Sequence, residues 1–591
     1  MTVAQILKNF FVKNKMLTAL MSIALMLQVI GTLYVPFLVA GLIDEGIAQK
    51  NLVLVTEIGL EMVVVAILAG IAGILGSYYS AKFAAKFSYY ARRELFQKVQ
   101  EMSMSDVNQF GVSSLLARTI NDIENIAEML VFFSQMILPA PFISIIAIYL
   151  TWTVSEKLVW IPVIVISIFT LMTFVFVRKG NKYSVIIQEK MERMVRSIRE
   201  FYSGVRVIRA FNNQTYEKAK TDQTFSDYAS NMIQLNYLFA FLTPSVSALF
   251  GIAMTAIMWF GGFEVVEGTL QIGSITAIVE YTVLAIMYLI MAAMVFLTLP
   301  SAYASLERLR QVLVLDIEIK DPQENRLAGS TDEAAVVCFE NVSFAYPDSE
   351  DPVLQDINFQ VHRGETVAIV GSTGSGKSTI AKLLLRFNDA TSGRVMVNGV
   401  DVRDQKQFDL RNKMSYVPQK SFLFNGTILE NLQSGNQTAT FAEIEKAAEI
   451  AQAATFIKKL DKQYDAFVAQ GGSNYSGGQK QRLSIARALV KQAGVYIFDD
   501  SFSALDYQTD KIVRRGIKES LSQVATIIVA QRLSTVIEAD RIVLIDQGKI
   551  VGQGTHQVLL KENTLYREFA VSQQLLEEGE IIDETNPSNF E

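Results

Sequence analysis

Cysteine and histidine are nearly absent from this chain of 591 residues, which holds one cysteine and two histidines. The single Cys338 excludes an internal disulfide, and we interpret it as a packed strand residue rather than a reactive thiol. The net charge of -6 is small, so we expect no nucleic-acid partner. The first residues lack a short apolar core followed by a small-residue cleavage site, and we predict no signal peptide.

Charged residues are also scarce in six long apolar stretches of the first half. Each stretch reaches the ~20 residues that a helix needs to cross a bilayer. After about residue 310 the composition becomes that of an ordinary soluble α/β domain. The fold class we predict is therefore a membrane α-helical bundle, embedded in a lipid bilayer and fused to an α/β domain. The six predicted spans are Leu17–Ile43, Ile58–Tyr79, Met129–Trp152, Val159–Val177, Leu238–Phe263 and Ile272–Leu299.

The loop charges predict an orientation. The long connections 80–128 and 178–237 are rich in lysine and arginine, whereas the short connections near Asp44, Glu156 and Glu264 are acidic or neutral. Because basic loops stay on the cytoplasmic side, we predict that the long loops and both termini are cytoplasmic and that the membrane is the plasma membrane. The apolar pattern runs on past the bilayer length, which favours helices that project from the membrane.

One ionisable residue, Glu280, stands inside a predicted span. An intramembrane carboxylate is costly and usually faces a bundle interior or an aqueous cavity. Two interpretations have equal weight. Glu280 either contacts a cationic substrate or a proton in a cavity, or lies near the outer surface because the span boundary is misplaced.

A phosphate-binding pattern dominates the second half. Residues 371–378 match G-x-x-x-x-G-K-[ST]. They follow an apolar segment, Thr366–Val370, that predicts a strand, and precede Ile380–Arg386, which predicts a helix. In this pattern backbone N–H groups converge on an anion, and the helix N-terminus adds a favourable dipole. Lys377 would bridge the β- and γ-phosphates, and Ser378 would hold Mg²⁺. We predict nucleoside triphosphate binding by Gly371, Ser372, Thr373, Gly374, Ser375, Gly376, Lys377, Ser378 and Thr379.

Further motifs accompany this loop in a fixed order. Tyr346 precedes it at a strand end, and Gln419 ends a later strand. A glycine-rich helix start, Ser476-Gly477-Gly478-Gln479, is a second potential phosphate cradle. An apolar strand then ends in Asp499 and Asp500, Ser503-Ala504-Leu505-Asp506 follows, and a last strand ends at Gln531.

These motifs, in this order, resemble the ATP-binding cassette (ABC) nucleotide-binding domain, and the six spans resemble the transmembrane half of an ABC exporter. The resemblance covers nearly the whole chain. It predicts a transmembrane domain over 1–318, a linker over 319–334, a nucleotide-binding domain over 335–575 and an acidic tail over 576–591. In the long loops, the exporter pattern is matched by Phe110, Leu116, Arg118, Asp122 and Gly204-Val205-Arg206-Val207-Ile208.

The resemblance implies ATP and Mg²⁺ as cofactors and a role for each motif. Tyr346 would stack on adenine, Gln419 would contact Mg²⁺ and sense the membrane half, and Asp499 would hold Mg²⁺ through water. Each ATP would sit between one chain's phosphate loop and the other's signature, so the chain must dimerise. The γ-phosphate of ATP on the opposite cassette would be held by Ser476, Gly477, Gly478 and Gln479.

Two departures from the family pattern decide our interpretation. Asp500 stands where the family has the glutamate that activates the attacking water, and aspartate is one methylene shorter. Gln531 stands at the switch position of a histidine, and glutamine cannot carry charge. Neither His362 nor His556 lies where it could substitute. Tyr475 replaces the usual leucine, but the signature is otherwise intact.

The pattern resembles the catalytically degenerate subunit of the heterodimeric multidrug exporters of Gram-positive bacteria. We therefore expect a partner chain with Glu and His at the catalytic positions, and amphipathic drugs or lipid-like molecules as cargo. In this interpretation the partner's site, completed by this chain's signature, performs most of the hydrolysis. The alternatives are a self-sufficient homodimer with slow ATPase and a non-pumping ATP-gated channel or regulatory subunit.

Overall fold

The computed structural model describes residues 3–296, 298–326, 335–346, 349 and 351–575. These residues form two compact units, 3–101 with 110–316 and 102–109 with 317–575. The predicted acidic tail 576–591 and residues 327–334 of the predicted linker lie outside the described residues.

The regular secondary structure described in the first unit is helical throughout. Its six apolar helical stretches are long enough to cross a membrane, as the sequence predicts. Three short π-helical segments, Leu42–Ile47, Arg118–Asp122 and Phe133–Ile137, continue or connect its α-helices. In chain order, and including the short α4, most of which belongs to the second unit, the α-helices are α1 Val3–Lys13, α2 Lys15–Gly41, α3 Leu52–Glu101, α4 Met104–Phe110, α5 Val112–Ala117, α6 Ile123–Phe132, α7 Pro139–Val154, α8 Trp160–Ala210, α9 Gln214–Val266, α10 Ile272–Phe296 and α11 Leu299–Leu313.

Three of these helices greatly exceed the thickness of a bilayer. The helices α3, α8 and α9 have 50, 51 and 53 residues, and at 1.5 Å per residue each is roughly 75–80 Å long. The predicted extension of the helices beyond the membrane is thus present. The predicted sixth span ran to Leu299, but α10 ends at Phe296, and Pro300 lies in the first turn of α11, a position that suits proline.

A buried carboxylate holds the start of α10. Both oxygens of Asp44 accept backbone N–H groups of α10, from Gly273 at 2.6 Å and from Ser274 at 3.1 Å. A Cβ at Gly273 would come within 2.7 Å of Asp44 Oδ2, so only glycine permits this approach. The first N–H groups of a helix have no partner within the helix, and here the π-helical segment Leu42–Ile47 that continues α2 supplies one.

A charged cluster joins the region before α6 to α11. Asp122 accepts hydrogen bonds from Ser305 at 2.9 Å and from Arg308 Nε at 2.8 Å. The neighbouring Arg118 donates to the backbone carbonyl of Arg308 at 2.6 Å and stacks on the ring of Phe110. Three of the exporter-pattern residues therefore form contacts within this unit.

The second unit is an α/β domain. Besides short 3-10 turns, its elements are β1 Val337–Phe344, β2 Leu354–Val361, β3 Thr366–Gly371, α12 Lys377–Leu384, β4 Ser392–Val397, β5 Val400–Asp401, α13 Gln407–Asn412, β6 Met414–Val417, β7 Gly426–Thr427, α14 Ile428–Gln433, α15 Phe441–Ile450, α16 Ala454–Ile457, β8 Phe467–Val468, α17 Gly477–Val490, β9 Val495–Asp499, α18 Tyr507–Ser520, β10 Ala525–Val529, β11 Arg541–Asp546, β12 Lys549–Gly554, α19 His556–Glu562 and α20 Thr564–Ser572.

A six-stranded sheet in the order β12-β11-β3-β10-β9-β6 forms the centre of this unit. Its strands are parallel except for the edge strand β12. Both faces are covered, since Val367 and Ile369 of β3 enter one core and Ala368 and Val370 enter the other. A second, antiparallel sheet has the order β2-β1-β4-β5. Cys338 is buried in β1, as the sequence predicts.

The described part of the predicted linker is attached to the second unit. Ile319 is buried, and the carbonyl of Lys320 accepts a hydrogen bond from Arg386 at 3.0 Å. The carboxylate of Asp321 accepts the backbone N–H of Gln407 at 3.0 Å. These contacts fix residues 319–321 against the region around α13.

Candidate nucleotide-binding site

The predicted phosphate loop connects β3 to α12. Its strand ends at Gly371 and its helix begins at Lys377, three residues earlier than the sequence predicts. Gly374 and Gly376 have φ angles of +85° and +97°, in the left-handed region that favours glycine. A Cβ at Gly376 would also come within 2.6 Å of Leu354. The sequence therefore places glycine where the loop must turn tightly.

Lys377 lies inside this loop. Its amino group donates to the carbonyl of Gly371 at 3.0 Å and to the carbonyl of Ser372 at 2.6 Å, and only 7% of the residue is exposed. Burial lowers the pKa of Lys377, while the nearby Asp500 and Asp499 oppose that shift. The loop thus holds one cation close to two carboxylates.

The other loop side chains differ in exposure. Ser375 and Thr379 are buried, whereas Ser372 and Thr373 are exposed. The hydroxyl of Ser372 donates to Asp546 at 3.3 Å, at the end of the neighbouring strand β11.

Asp499, the last residue of β9, faces the loop. Its Oδ1 accepts a hydrogen bond from Ser378 at 2.8 Å, and its Oδ2 accepts one from Tyr416 at 3.2 Å. The residue is 3% exposed. Burial raises the pKa of Asp499, and the hydrogen bonds from Ser378 and Tyr416 offset part of this upward shift. The structure thus brings together Ser378 and Asp499, two of the three residues that the sequence assigns to Mg²⁺.

Asp500 turns the chain sharply away from the strand. It has a φ of +47°, which is uncommon for a residue other than glycine, and its N–H donates to the carbonyl of Val529 at 2.8 Å. Its Oδ2 accepts a hydrogen bond from the side-chain amide of Gln419 at 3.0 Å. Gln419 and Asp500, which the family resemblance places at the catalytic position, are therefore direct partners.

Gln531 reaches the same edge of the sheet. It follows β10, which pairs with both β3 and β9, so the carboxyl ends of three parallel strands bring the loop, the two aspartates and Gln531 together. The residue is exposed, and its backbone carbonyl accepts a hydrogen bond from Gln573 at 3.0 Å.

Tyr346 packs edge-on against Phe344, with ring centroids 4.8 Å apart. Lys382 of α12 donates to the phenol oxygen at 3.3 Å, and its amino group lies 5.7 Å from the ring centroid. The aromatic predicted to stack on adenine is thus fixed to the helix that follows the phosphate loop.

The signature residues open α17. Ser476 is the N-cap and accepts the N–H of Gln479 at 3.3 Å, while the Gln479 side chain accepts the N–H of Ser476 at 3.0 Å. This reciprocal pair is a capping box. Gly477 has open space where a Cβ would lie, but at Gly478 a Cβ would be 3.2 Å from the carbonyl of Ala504. The first turn therefore exposes backbone N–H groups and small residues.

Sequence reasoning missed Tyr416 and Lys382. Tyr416 lies in β6, three residues before Gln419, and burial raises its pKa, as does the neighbouring Asp499. The phenol therefore stays protonated and remains a donor. The only sequence signal was an aromatic residue in a short strand, which by itself indicates packing.

Glu280 lies in α10, eight residues after the helix begins. It lines a groove of about 860 Å³ between α2, α3 and α10. Polar atoms in this groove come also from Gln28, Thr32 and Ser77, and small residues of α3 form part of its wall.

Comparisons with known proteins define the class. Residues 354–503 match the family model described as ABC transporter, and residues 18–305 match the ABC transporter transmembrane region. An uncharacterized ABC transporter ATP-binding protein of Mycobacterium tuberculosis is 34% identical over 94% of this chain and 96% of its own length. The chain therefore belongs to the ABC transporter family.

Two further similarities concern exporters. An ATP-dependent lipid A-core flippase of Desulfotalea psychrophila is 31% identical over 80% of this chain and 82% of that protein. The solved structure of a bacterial Atm1-family ABC exporter with ATP bound superimposes with a TM-score of 0.80 at 26% identity, covering 96% of this chain and 99% of that one.

These findings confirm the predicted fold class, with six apolar helices fused to a nucleotide-binding domain. The chain is an ATP-binding half-transporter of ABC exporter architecture, a multi-pass membrane protein whose transport is coupled to ATP hydrolysis. ABC exporters act as dimers in the lipid bilayer, and this chain supplies one half of such a dimer.

Proposed function

We propose that this chain is the weakly catalytic subunit of a heterodimeric exporter. The observation that carries the proposal is the hydrogen bond from Gln419 to Asp500. The carboxylate at the catalytic position is one methylene shorter than glutamate, and a ~1 Å displacement of a catalytic group can cost ~10²-fold in rate. Gln531, at the same edge of the sheet, supplies a hydrogen bond but no positive charge.

In this proposal the signature serves the partner's site. Ser476 accepts a hydrogen bond from its own helix, which leaves its O–H proton free to donate to a phosphate. The exposed N–H groups and the dipole of α17 favour an anion in the same place. Ser476, Gly477, Gly478 and Gln479 would therefore complete an ATP site whose phosphate loop belongs to a different chain.

Mg²⁺ fits the donor groups of this chain's own site. The Ser378 hydroxyl, the Asp499 carboxylate and the Gln419 amide oxygen are the hard oxygen donors that Mg²⁺ prefers, and few protein ligands are needed beside phosphates. When bound, Mg²⁺ would neutralise charge on the β- and γ-phosphates. Ser378 and Gln419 would hold it directly, and Asp499 would hold it through water.

For the cargo, we propose amphipathic drugs or lipid-like molecules that leave across the plasma membrane. A Bacillus subtilis relative is provisionally named a multidrug export ATP-binding/permease protein, and it is 30% identical over 84% of this chain and 86% of its own length. The Desulfotalea psychrophila relative is named an ATP-dependent lipid A-core flippase. Glu280 in its groove supports a contact with cationic cargo. The basic long loops support cytoplasmic termini.

The decisive experiment compares the chain alone with the chain joined to a partner. Purified alone in nanodiscs, it should bind ATP but show weak ATPase, because each dimer would contain two sites with Asp500 and Gln531. Coexpression with a half-transporter that carries Glu and His at those positions should give drug-stimulated turnover. Robust drug-stimulated ATPase of the chain alone would instead establish the self-sufficient homodimer.

A further inference from the structure

Tyr416 has two separable parts, a packed ring and a phenol. The ring meets Phe387 edge-on, with centroids 6.3 Å apart, and lies in β6 opposite Ile497 of β9. That register puts Tyr416 two residues from the level of Asp499, close enough for the phenol to reach the carboxylate at 3.2 Å. The proposed roles of ATP and Mg²⁺ do not use this contact.

The contact matters because it divides the two oxygens of Asp499 between two hydroxyl donors. Ser378 Oγ holds Oδ1 at 2.8 Å, and Tyr416 holds Oδ2. A carboxylate held at one oxygen only is free to rotate about its terminal torsion, which is a soft degree of freedom. Two donors on opposite oxygens fix its plane relative to the phosphate loop.

Asp499 also needs a second donor because it is buried. A buried carboxylate oxygen without a hydrogen bond carries a desolvation cost. The other donors near the site have different acceptors. Gln419 is bonded to Asp500, Lys377 donates to backbone carbonyls of the phosphate loop, and Lys382 donates to Tyr346. Within the described residues, Tyr416 is thus the side chain that satisfies Oδ2.

We propose that Tyr416 is a positioning residue that orients Asp499, and thereby sets the Mg²⁺ dependence of ATP binding at this chain's own site. The inference rests on the Mg²⁺ assignment made above. It does not rest on whether the site hydrolyses ATP or on the identity of the partner chain.

The test uses Tyr416→Phe in the full-length chain, because phenylalanine keeps the ring contact with Phe387 and removes only the hydroxyl. The matched control is Tyr496→Phe. Tyr496 lies on the adjacent strand β9, is more deeply buried than the half-buried Tyr416, and donates its hydroxyl to the carbonyl of Lys491 at 2.6 Å, away from Asp499.

Two readouts are measured on the purified proteins. The first is the affinity for a fluorescent ATP analogue with excess Mg²⁺ and with EDTA. The second is Mn²⁺ binding in the presence of ATP, followed by electron paramagnetic resonance. We expect Tyr416→Phe to weaken the metal-dependent affinity roughly 10-fold and to leave affinity in EDTA unchanged, since one hydrogen bond to a charged group is lost. Tyr496→Phe should change neither readout.

An unchanged metal dependence in Tyr416→Phe would overturn the proposal, as would an equal loss in EDTA or the same effect in Tyr496→Phe. If the wild-type chain binds ATP equally well with Mg²⁺ and with EDTA, the Mg²⁺ assignment fails and the inference fails with it. If the wild-type affinity depends on Mg²⁺ and Tyr416→Phe matches it, only the role of Tyr416 is wrong.

Discussion

The side-chain amide of Gln419 donates to Oδ2 of Asp500 over 3.0 Å. The family resemblance predicts that Gln419 contacts Mg²⁺ and that Asp500 stands at the position of the catalytic carboxylate. Because the two side chains are hydrogen-bonded to each other, lengthening one of them changes the position of both. This relationship makes Asp500 the most informative position at which to restore the family residue.

We predict that Asp500→Glu raises hydrolysis at this site by up to ~10²-fold and that the gain is partial. Gln531 would still leave the γ-phosphate without the second charged partner, beside Lys377, that a histidine at this position supplies. Asp500→Glu with Gln531→His should exceed the product of the single effects, because groups that act as a unit are not additive. The measurement is single-turnover hydrolysis with the partner's catalytic glutamate disabled, and Asp500→Asn is the control. Full recovery from Asp500→Glu alone would assign no role to Gln531.

The signature can be tested without unfolding α17. Gly477→Asp adds a negative charge where the structure has open space, so it should abolish most turnover of the complex, while Gly477→Ala should be milder. Loss of phosphate donors from a transition state costs about 3–4 kcal/mol. Ser476→Asn, which keeps an N-cap acceptor but loses the hydroxyl, separates capping from a hydroxyl–phosphate contact when compared with Ser476→Ala. Normal ATPase in Gly477→Asp would refute the shared site.

For Glu280, we predict that Glu280→Gln reduces transport of a cationic amphiphile several-fold and leaves basal ATPase unchanged, because the groove loses its carboxylate but keeps its shape. Transport of a neutral analogue of equal size is the internal comparison. Glu267→Gln, at an exposed loop, is the matched control. An equal loss for cationic and neutral compounds would favour a structural role.

The cap at α10 predicts a stability effect. Asp44→Ala should reduce the free energy of unfolding by about 1 kcal/mol, as loss of a helix cap does, because two N–H groups lose their acceptor. Glu45→Ala removes an exposed carboxylate next to it and should have little effect. Thermal unfolding in detergent, followed by tryptophan fluorescence, measures both. Equal midpoints for the two variants would show that the cap contributes nothing.

A pH effect is expected at His556. Burial lowers the pKa of His556 below its ordinary value of 6.5, and the ring contacts the buried Tyr566 at 2.8 Å. The unfolded chain therefore takes up a proton at a higher pH than the folded chain. Its contribution to stability is present above pH ~6.5 and falls as the pH drops toward the folded pKa. In His556→Gln, the unfolding midpoint should therefore fall less steeply as the pH is lowered. The substitution His362→Gln, at an exposed position, should leave the wild-type pH dependence unchanged.

The phosphate loop was predictable because its information is local. The spacing of Gly374, Gly376 and Lys377 predicts a tight turn followed by the start of a helix. In the structure β3 ends at Gly371, the two glycines turn the chain, and α12 begins at Lys377. The six apolar helices were predictable for the same reason, since length and composition suffice. The ends of these helices were less predictable, since α10 ends at Phe296 and the predicted span ended at Leu299.

The contacts of Tyr416 and Asp44 could not be predicted from spacing. Tyr416 meets Asp499 only because β6 and β9 pair in a particular register, 83 residues apart in the chain. Asp44 looked like one charge among several in an acidic loop, and its partner Gly273 is 229 residues away. In both cases the side chain acts through a long-range contact that a single sequence does not encode in any short pattern.

Cys338 gives the protein a practical property. The thiol is 7% exposed within β1, and burial raises its pKa, so little reactive thiolate is present near neutral pH. A cysteine introduced at an exposed position outside the motifs, such as Ser520 at the end of α18, would then be readily labelled in preference to Cys338. Spin or fluorescent probes attached there would report the distance to a labelled partner in each nucleotide state, without replacement of the native Cys338.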